Sequence, residues 1–218
     1  MKENLSGTNR MIVVKKLFLL TIPIILLPLG IAGYLASFLG SDPFSVFIDG
    51  VHVTTGLTHG QVAMINSTLL ITLMFLFGRR YLKIGTIALA VTIGPLIDIF
   101  RTALIGMIYS GGEAEIIIRV IVMLAGCIFL AVGVGMFIAI DLGIGGLEWL
   151  VLNIAKCLKT KMRNARIIFD GTLVALGWLM GGLVGVGTIL GVFATGPIIE
   201  LTIKLTKNPL ERILTQRT

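Results

Sequence analysis

The chain is predicted to be an all-α membrane protein. Six transmembrane helices form two inverted-topology repeats of three spans, each repeat with a short interfacial or re-entrant helix. Three observations lead there: an apolar excess, apolar runs of spanning length, and a repeat within the sequence. Of 218 residues, 56% are apolar and 13% charged, with a mean hydropathy of +1.02. Soluble domains carry about a quarter charged residues and just under half apolar ones. A core of this size cannot hide the difference and keep a wettable surface. The same figures exclude disorder, fibrous repeats and a disulfide-rich secreted fold. The solvent is lipid.

Crossing a hydrocarbon core of about 30 Å takes about 20 mostly apolar residues. Leu17–Phe38, Gln61–Phe77, Ile84–Tyr109, Ile116–Ile140, Ile167–Met180 and Leu183–Leu205 qualify or nearly so, the second and fifth being short. Phe44–Val53 and Leu147–Leu158 are too short to cross and read as interfacial or re-entrant helices. The first of these has a start signal in Asp42-Pro43, an N-cap carboxylate with proline at the first helical position. Lys15-Lys16 before an apolar run has the look of a signal peptide. The run is too long for one, however, and no small-residue cleavage site follows.

Orientation follows from the cations. Threading six spans puts all of the 18 Lys and Arg on one side except Arg101 and Arg119. The opposite loops hold Asp42, Asp49, Glu113 and Glu115. The positive-inside rule therefore makes both termini cytoplasmic. Residues 1–16 and 206–218 read as cytoplasmic tails, 17–110 as the first repeat and 116–205 as the second. The net charge of +7 then means contact with anionic lipid at the cytoplasmic face, with no nucleic-acid partner expected.

The repeat has an offset of 102 residues: Gly85, Thr86, Ile87, Gly94, Pro95 and Ile97 recur as Gly187, Thr188, Ile189, Gly196, Pro197 and Ile199. Asp98 recurs as Glu200, and at slightly different offsets Asn66 matches Asp170 and Leu39-Gly40 matches Leu142-Gly143. An odd number of crossings per half forces the halves to run in opposite senses, as in many secondary transporters.

Proline cannot donate to the carbonyl four residues back, so Val91 and Phe193 lose a helical partner to Pro95 and Pro197. Gly94-Pro95 and Gly196-Pro197 are therefore expected to kink or break their helices. A break would leave free carbonyls on one side and a positive half-helix end on the other, able to face a cation and an anion respectively, as in transporters. The alternative is a plain kink re-satisfied by a neighbouring helix. Three acids follow as candidate ion or proton groups. Asp98 lies past the midplane, about 21 Å into its span at 1.5 Å per residue. It has Arg101 at i+3, which would make either a structural pair or part of a site. Glu200 has Lys204 at i+4 and the alternative of a solvated pair. Asp170 has no cation at i+3 or i+4, leaving Arg166 at i−4 as its possible partner. Asn66 completes the candidate substrate- and ion-binding set of Asp98, Arg101, Asp170 and Glu200.

His52 and His59, seven residues apart near Asp42 and Asp49, are expected to be solvated rather than metal-bound. Cys127 and Cys157 have neither metal spacing nor a disulfide partner. Gly177, Gly181 and Gly185 recur every fourth residue, a spacing that lets helices pack closely within the chain or between copies. No Walker loop, nucleophile elbow, zinc-protease motif or dinucleotide fingerprint occurs, so neither a cofactor nor an enzyme is expected.

Leu39-Gly-Ser-Asp-Pro-Phe44, Gly50, Gly56 and the recurring Gly-Thr and Gly-Pro elements resemble those of the YczE/YyaS/YitT-like bacterial integral membrane proteins. The resemblance covers roughly residues 15–205. The second half departs from it, with Gly145-Gly146 where the first has Asp42-Pro43. It implies a multi-pass protein of the bacterial cell membrane and no particular substrate. The expected function is a small secondary transporter or exporter with its site between the broken helices. The alternative is a non-transporting scaffold or accessory protein for a partner.

Overall fold

The computed structural model describes residues 2–112, 115–143, 145–160 and 162–215, with side chains described from Val14 to Lys207 except Met162 and Arg163. Glu113, Lys161 and Arg217, and the side chains of Lys2, Arg10, Arg163 and Arg212, which entered the charge argument, lie outside that set.

Eight α-helices occur among the described residues: α1 Lys2–Ser37, α2 Pro43–Thr55, α3 His59–Phe77, α4 Ile84–Ile108, α5 Ile116–Ile140, α6 Gly146–Cys157, α7 Met162–Leu179 and α8 Val186–Thr215. A 3₁₀ turn, Arg79–Tyr81, links α3 to α4. Both short helices form where they were expected. Helix α1 reaches back to Lys2, into the segment read as a tail, and α8 runs on to Thr215.

Five described helices are long and apolar enough to cross a membrane: α1 from Val14, α3, α4, α5, and α8 to Lys207. Helix α7, the expected fifth crossing of six, does not qualify, because Arg163, Arg166 and Asp170 crowd its first half. Phe18, Phe77, Met107, Leu179 and Phe193 are each at least 74% exposed, which is untenable in water and ordinary against lipid. Contact with the bilayer follows.

Helices α1 and α5 form the central pair and run antiparallel. Gly133 meets Leu26 and Leu27, Gly30 meets Leu130 and Gly126, and Gly33 meets Gly126. Glycine at each crossing lets the backbones touch, since lipid supplies no hydrophobic drive between helices and close packing must replace it. Helix α4 packs on α1 and α3, and α8 packs on α5. The short helices pair across the halves: α2 runs parallel to α7, with Val46 at Gly177 and Val53 at Gly181, and α6 runs parallel to α3, with Gly146 at Leu70 and Trp149 at Gly78.

Helix ends are closed by their own chemistry. Asp42 caps α2 through Ser45, and Gly56 ends it in the left-handed conformation. Thr58 and Gln61 form a capping box on α3. Arg119, at the start of α5, donates to the carbonyls of Ser37 (2.8 Å) and Phe38 (2.9 Å) and so closes the end of α1. At the other end of α5, Lys83 donates to the Asp141 carbonyl at 3.2 Å and pairs with its carboxylate at 3.1 Å.

Neither Gly-Pro pair interrupts its helix. Helix α4 is continuous through Gly94-Pro95 and α8 through Gly196-Pro197, so of the kink or break expected there the break does not occur. A single missing N–H costs one hydrogen bond, and the flanking turns hold the helix together. The glycines serve packing instead. Gly94 lies against the Gly60 carbonyl and the Met64 side chain, whereas Gly196 has no atom within 4 Å of where a Cβ would stand.

Candidate functional site

Two polar clusters sit among the apolar helices. The first gathers where both short helices begin. Arg166 of α7 donates from Nε to Asp170 at 2.9 Å and places Nη1 3.9 Å from the Glu148 carboxylate, in the first turn of α6. Asp42, the N-cap of α2, acts electrostatically on the same guanidinium and on Asp170. Burial pushes the Asp42 carboxyl above its ordinary range, against the pull of hydrogen bonds from Ser45. One guanidinium thus pairs with carboxylates of α6 and α7 and acts at longer range on the one that caps α2. Glu148 and Asp170 are mostly buried, with side-chain exposures of 21% and 20%.

The second cluster lies where α2 ends and α3 begins. Asp49 accepts from His59 Nε2 at 2.9 Å and from the Leu183 N–H at 2.7 Å, which ties the start of α3 to the turn before α8. The His52 and His59 rings face each other at a tilt of 35° with centroids 4.0 Å apart, and His52 Nδ1 is bonded to the Leu57 carbonyl. Burial pushes the Asp49 carboxyl up. The hydrogen bonds from His59 and Leu183 and the nearby imidazoles outweigh burial and hold it below its ordinary value. A carboxylate lowered on folding adds stability that is full above its unfolded pKa of about 4 and lost as pH falls through the folded value. Asp49→Asn is therefore expected to lower Tm near neutral pH and to flatten its decline below about pH 5. Parallel acid-limb melting curves for variant and wild type would remove Asp49 from that role.

The remaining residues singled out from sequence separate. Asp98 accepts from the Gly60 N–H at 2.8 Å and from the Thr58 hydroxyl, and so anchors the start of α3. Those contacts, and not an ion pair with Arg101, occupy it. The i,i+3 pair does not form, and Arg101 Nε is buried without a hydrogen-bond partner among the described residues. Asn66 is half-buried on α3. Glu200 and Lys204 are both exposed on α8 and make no ion pair with each other, and Pro197 is exposed as well. Of the candidate acids, Asp170 alone joins the cluster at Arg166, through the i−4 cation that the sequence offers.

Glu148 and Asp42 were not read as site residues. Glu148 looks like a surface acid on a short amphipathic helix, and only its place in the first turn of α6, opposite Asp42-Pro43 in the repeat, was available as a signal. His52 and His59, which the sequence alone places in a polar loop, each lie on a helix packed against another.

The chain matches over residues 14–204 the family model described as "Family of unknown function (DUF6198)". It belongs to that family. A relative in Bacillus subtilis, the "Uncharacterized membrane protein YczE", is 30% identical over 181 residues, covering 83% of this chain and 81% of its own. An "Uncharacterized protein" of Haemophilus influenzae is 26% identical over 193 residues, covering 85% and 84% of the two chains. The "Uncharacterized protein YyaS" of Bacillus subtilis is 25% identical over 181 residues, covering 83% and 88%. No solved structure matches. The resemblance read from Leu39–Phe44 and the Gly-Pro elements thus identifies a DUF6198 membrane protein. In this DUF6198 chain both clusters fall within the matched residues.

Proposed function

We propose that the protein is a small secondary transporter of the bacterial cell membrane, built of two inverted halves of three crossings each, with α7 as the sixth crossing. The reading rests on one observation: Glu148, in the first turn of α6, stands 3.9 Å from Arg166, and Asp42, which caps α2, acts electrostatically on the same guanidinium. Short helices that begin inside the protein and end toward its surface bring polar backbone to a buried point, which is tolerated only where it lines a cavity or a path. The turn that follows α6, Leu158 and Lys159, is exposed, as are Val53 to Gly56 at the end of α2. The solute pathway therefore passes Arg166, Glu148, Asp170 and Asp42, and not the Gly-Pro pairs.

Two backbone hydrogen bonds support the inverted halves. The Leu39 carbonyl accepts from the Gly187 N–H at 2.9 Å, and the Leu142 carbonyl accepts from the Gly85 N–H at 3.0 Å. These are the two repeated motifs, each bonded to the other's copy in the opposite half. Gly40 at φ 92° and Gly143 at φ 150° make the turns, packed against Thr188 and Thr86.

Flux into proteoliposomes, measured over a panel of metabolites and ions, tests transport. At least one solute should enter faster than into protein-free vesicles, and Glu148→Gln should cut that rate at least tenfold. No flux above empty vesicles for any solute would leave the scaffold reading in its place. Reporter fusions test the architecture: six crossings put both termini on the cytoplasmic side. Termini on opposite sides would mean that α7 does not cross, and the inverted arrangement would fail.

A further inference from the structure

We infer that a monovalent cation binds at the buried start of α2, held by the Asp42 carboxylate together with the hydroxyl oxygens of Tyr34 and Thr195. Its role as the coupling ion rests on the transport reading above, but its binding does not.

Tyr34 of α1 is fully buried, yet its hydroxyl has no hydrogen-bond partner among the described residues. The Thr195 hydroxyl of α8 is buried and unpartnered in the same way. Buried hydroxyls are nearly always satisfied, so two together are an anomaly that needs a cause. They are neighbours: Thr195 and Cys127 approach the Tyr34 hydroxyl as side-chain hydrogen-bond contacts that are too loose to satisfy it, and Asp42 acts on it electrostatically.

The backbone explains the convergence. Gly191 lets α8 lie directly on the start of α2, since a Cβ there would stand 2.9 Å from the Asp42 Cα. Thr195 is one turn further on the same face of α8. Asp42 uses one oxygen on the Ser45 hydroxyl and accepts the Ser45 N–H only weakly, at 3.4 Å. A carboxylate has about four lone-pair sites, so most of its capacity is unspent. Asp42 caps α2 and so offsets the positive end of that helix, and the Arg166 guanidinium that it also feels is balanced by Glu148 and Asp170, which leaves the Asp42 charge for the cation.

The donor set decides the class of ligand. Hard cations choose oxygen, and a divalent ion calls for several carboxylates or a rigid hydrated shell. Among the described residues no three His, Cys, Asp or Glu side chains converge to hold a metal. One carboxylate with two neutral hydroxyls instead matches a single positive charge, carried by an alkali ion or by a protonated amine. Burial raises the Asp42 carboxyl, so a bare charge there is costly and a bound cation relieves that cost.

The test is the melting temperature of the purified full chain in detergent. It is measured in chlorides of lithium, sodium, potassium and methylammonium, against N-methylglucamine at equal ionic strength. Wild type should gain about 5 °C or more, saturably, from at least one of the four cations. A gain from an alkali ion assigns an inorganic ligand, and a gain from methylammonium alone assigns an amine. Asp42→Asn, which keeps a good N-cap, and Tyr34→Phe should both abolish the gain. Without cation, Tyr34→Phe should melt at or above wild type, because it removes an unpartnered hydroxyl. Thr195→Val provides a second, shape-conserving variant, expected to weaken the response at least tenfold in cation concentration. No gain from any cation over N-methylglucamine, or an equal gain in Tyr34→Phe and Thr195→Val, would overturn the site. A gain without flux would reject transport and keep the site, whereas flux without a gain would do the reverse.

Discussion

Gly30→Val is expected to eliminate folded protein, measured as loss of the monodisperse peak of a fluorescent fusion on size exclusion. A Cβ at Gly30 would overlap Leu130 N and stand 2.7 Å from the Leu130 Cα and 2.8 Å from the Gly126 carbonyl oxygen. All of these are backbone atoms, so no rotamer change relieves the overlap. Helices α1 and α5 would have to separate, exposing a seam that includes Ile31, Tyr34, Met123, Cys127 and Leu130. Overpacking a tight core costs about 1–3 kcal/mol where side chains can give way, and more where only backbone can move. Gly106→Ala on α4 is the control. Nothing lies within 4 Å of its Cβ position, and alanine favours a helix over glycine by about 1 kcal/mol. That variant should melt at or slightly above wild type. If Gly30→Val accumulates and melts like Gly106→Ala, the two central helices do not cross as described.

Arg166→Gln carries the second large effect. It leaves Asp170 and Glu148 without their cation and removes the positive charge felt by Asp42. Stripping one partner from a fully buried pair costs about 3–5 kcal/mol. Arg166 keeps 43% of its side chain exposed, so about 2 kcal/mol is expected, seen as a fall in Tm. The charge balance makes a sharper claim. Adding Asp170→Asn should restore part of the lost stability, a coupling that a double-mutant cycle reads directly. If the two losses simply add, the side chains do not act on each other. Arg166→Lys should recover less than half, because a point charge cannot reach two carboxylates as the guanidinium fork does.

Several elements were legible because their causes are local. Helix α5 runs over Ile116–Ile140, the bounds that apolar continuity predicted, and α2 begins at the proline that its N-cap signal marked. The Asp170 partner was legible too, since Arg166 lies one turn away on the same helix. Asp98 shows where local reasoning stops. A cation at i+3 is visible in sequence, whereas the Gly60 amide in the first turn of α3 that claims the carboxylate lies 38 residues upstream. Helix starts always leave orphan N–H groups, but nothing along the chain says which acid will satisfy them. The Gly-Pro pairs mark the same limit. The missing donor at Pro95 is a sequence fact, but α4 stays continuous, and Gly94 was needed for its lack of a side chain against Gly60. Tyr34 and Thr195 are one more aromatic and one more small polar residue in apolar helices until α1 and α8 bring their hydroxyls side by side.

By itself, then, the sequence determined the solvent, the helices and most of their ends, and the recurrence of the Gly-Thr and Gly-Pro motifs. Each of these follows from composition, periodicity or capping within a few residues. Only the tertiary structure decided which charges meet. It gathered Asp42, Glu148 and Asp170 around Arg166, gave Asp98 to α3, and left Glu200 exposed on α8. The physical reason is one of range. Backbone geometry dictates neighbours one turn away, whereas partners across helices are set by where glycine lets two backbones touch, as at Gly30, Gly60, Gly177 and Gly191.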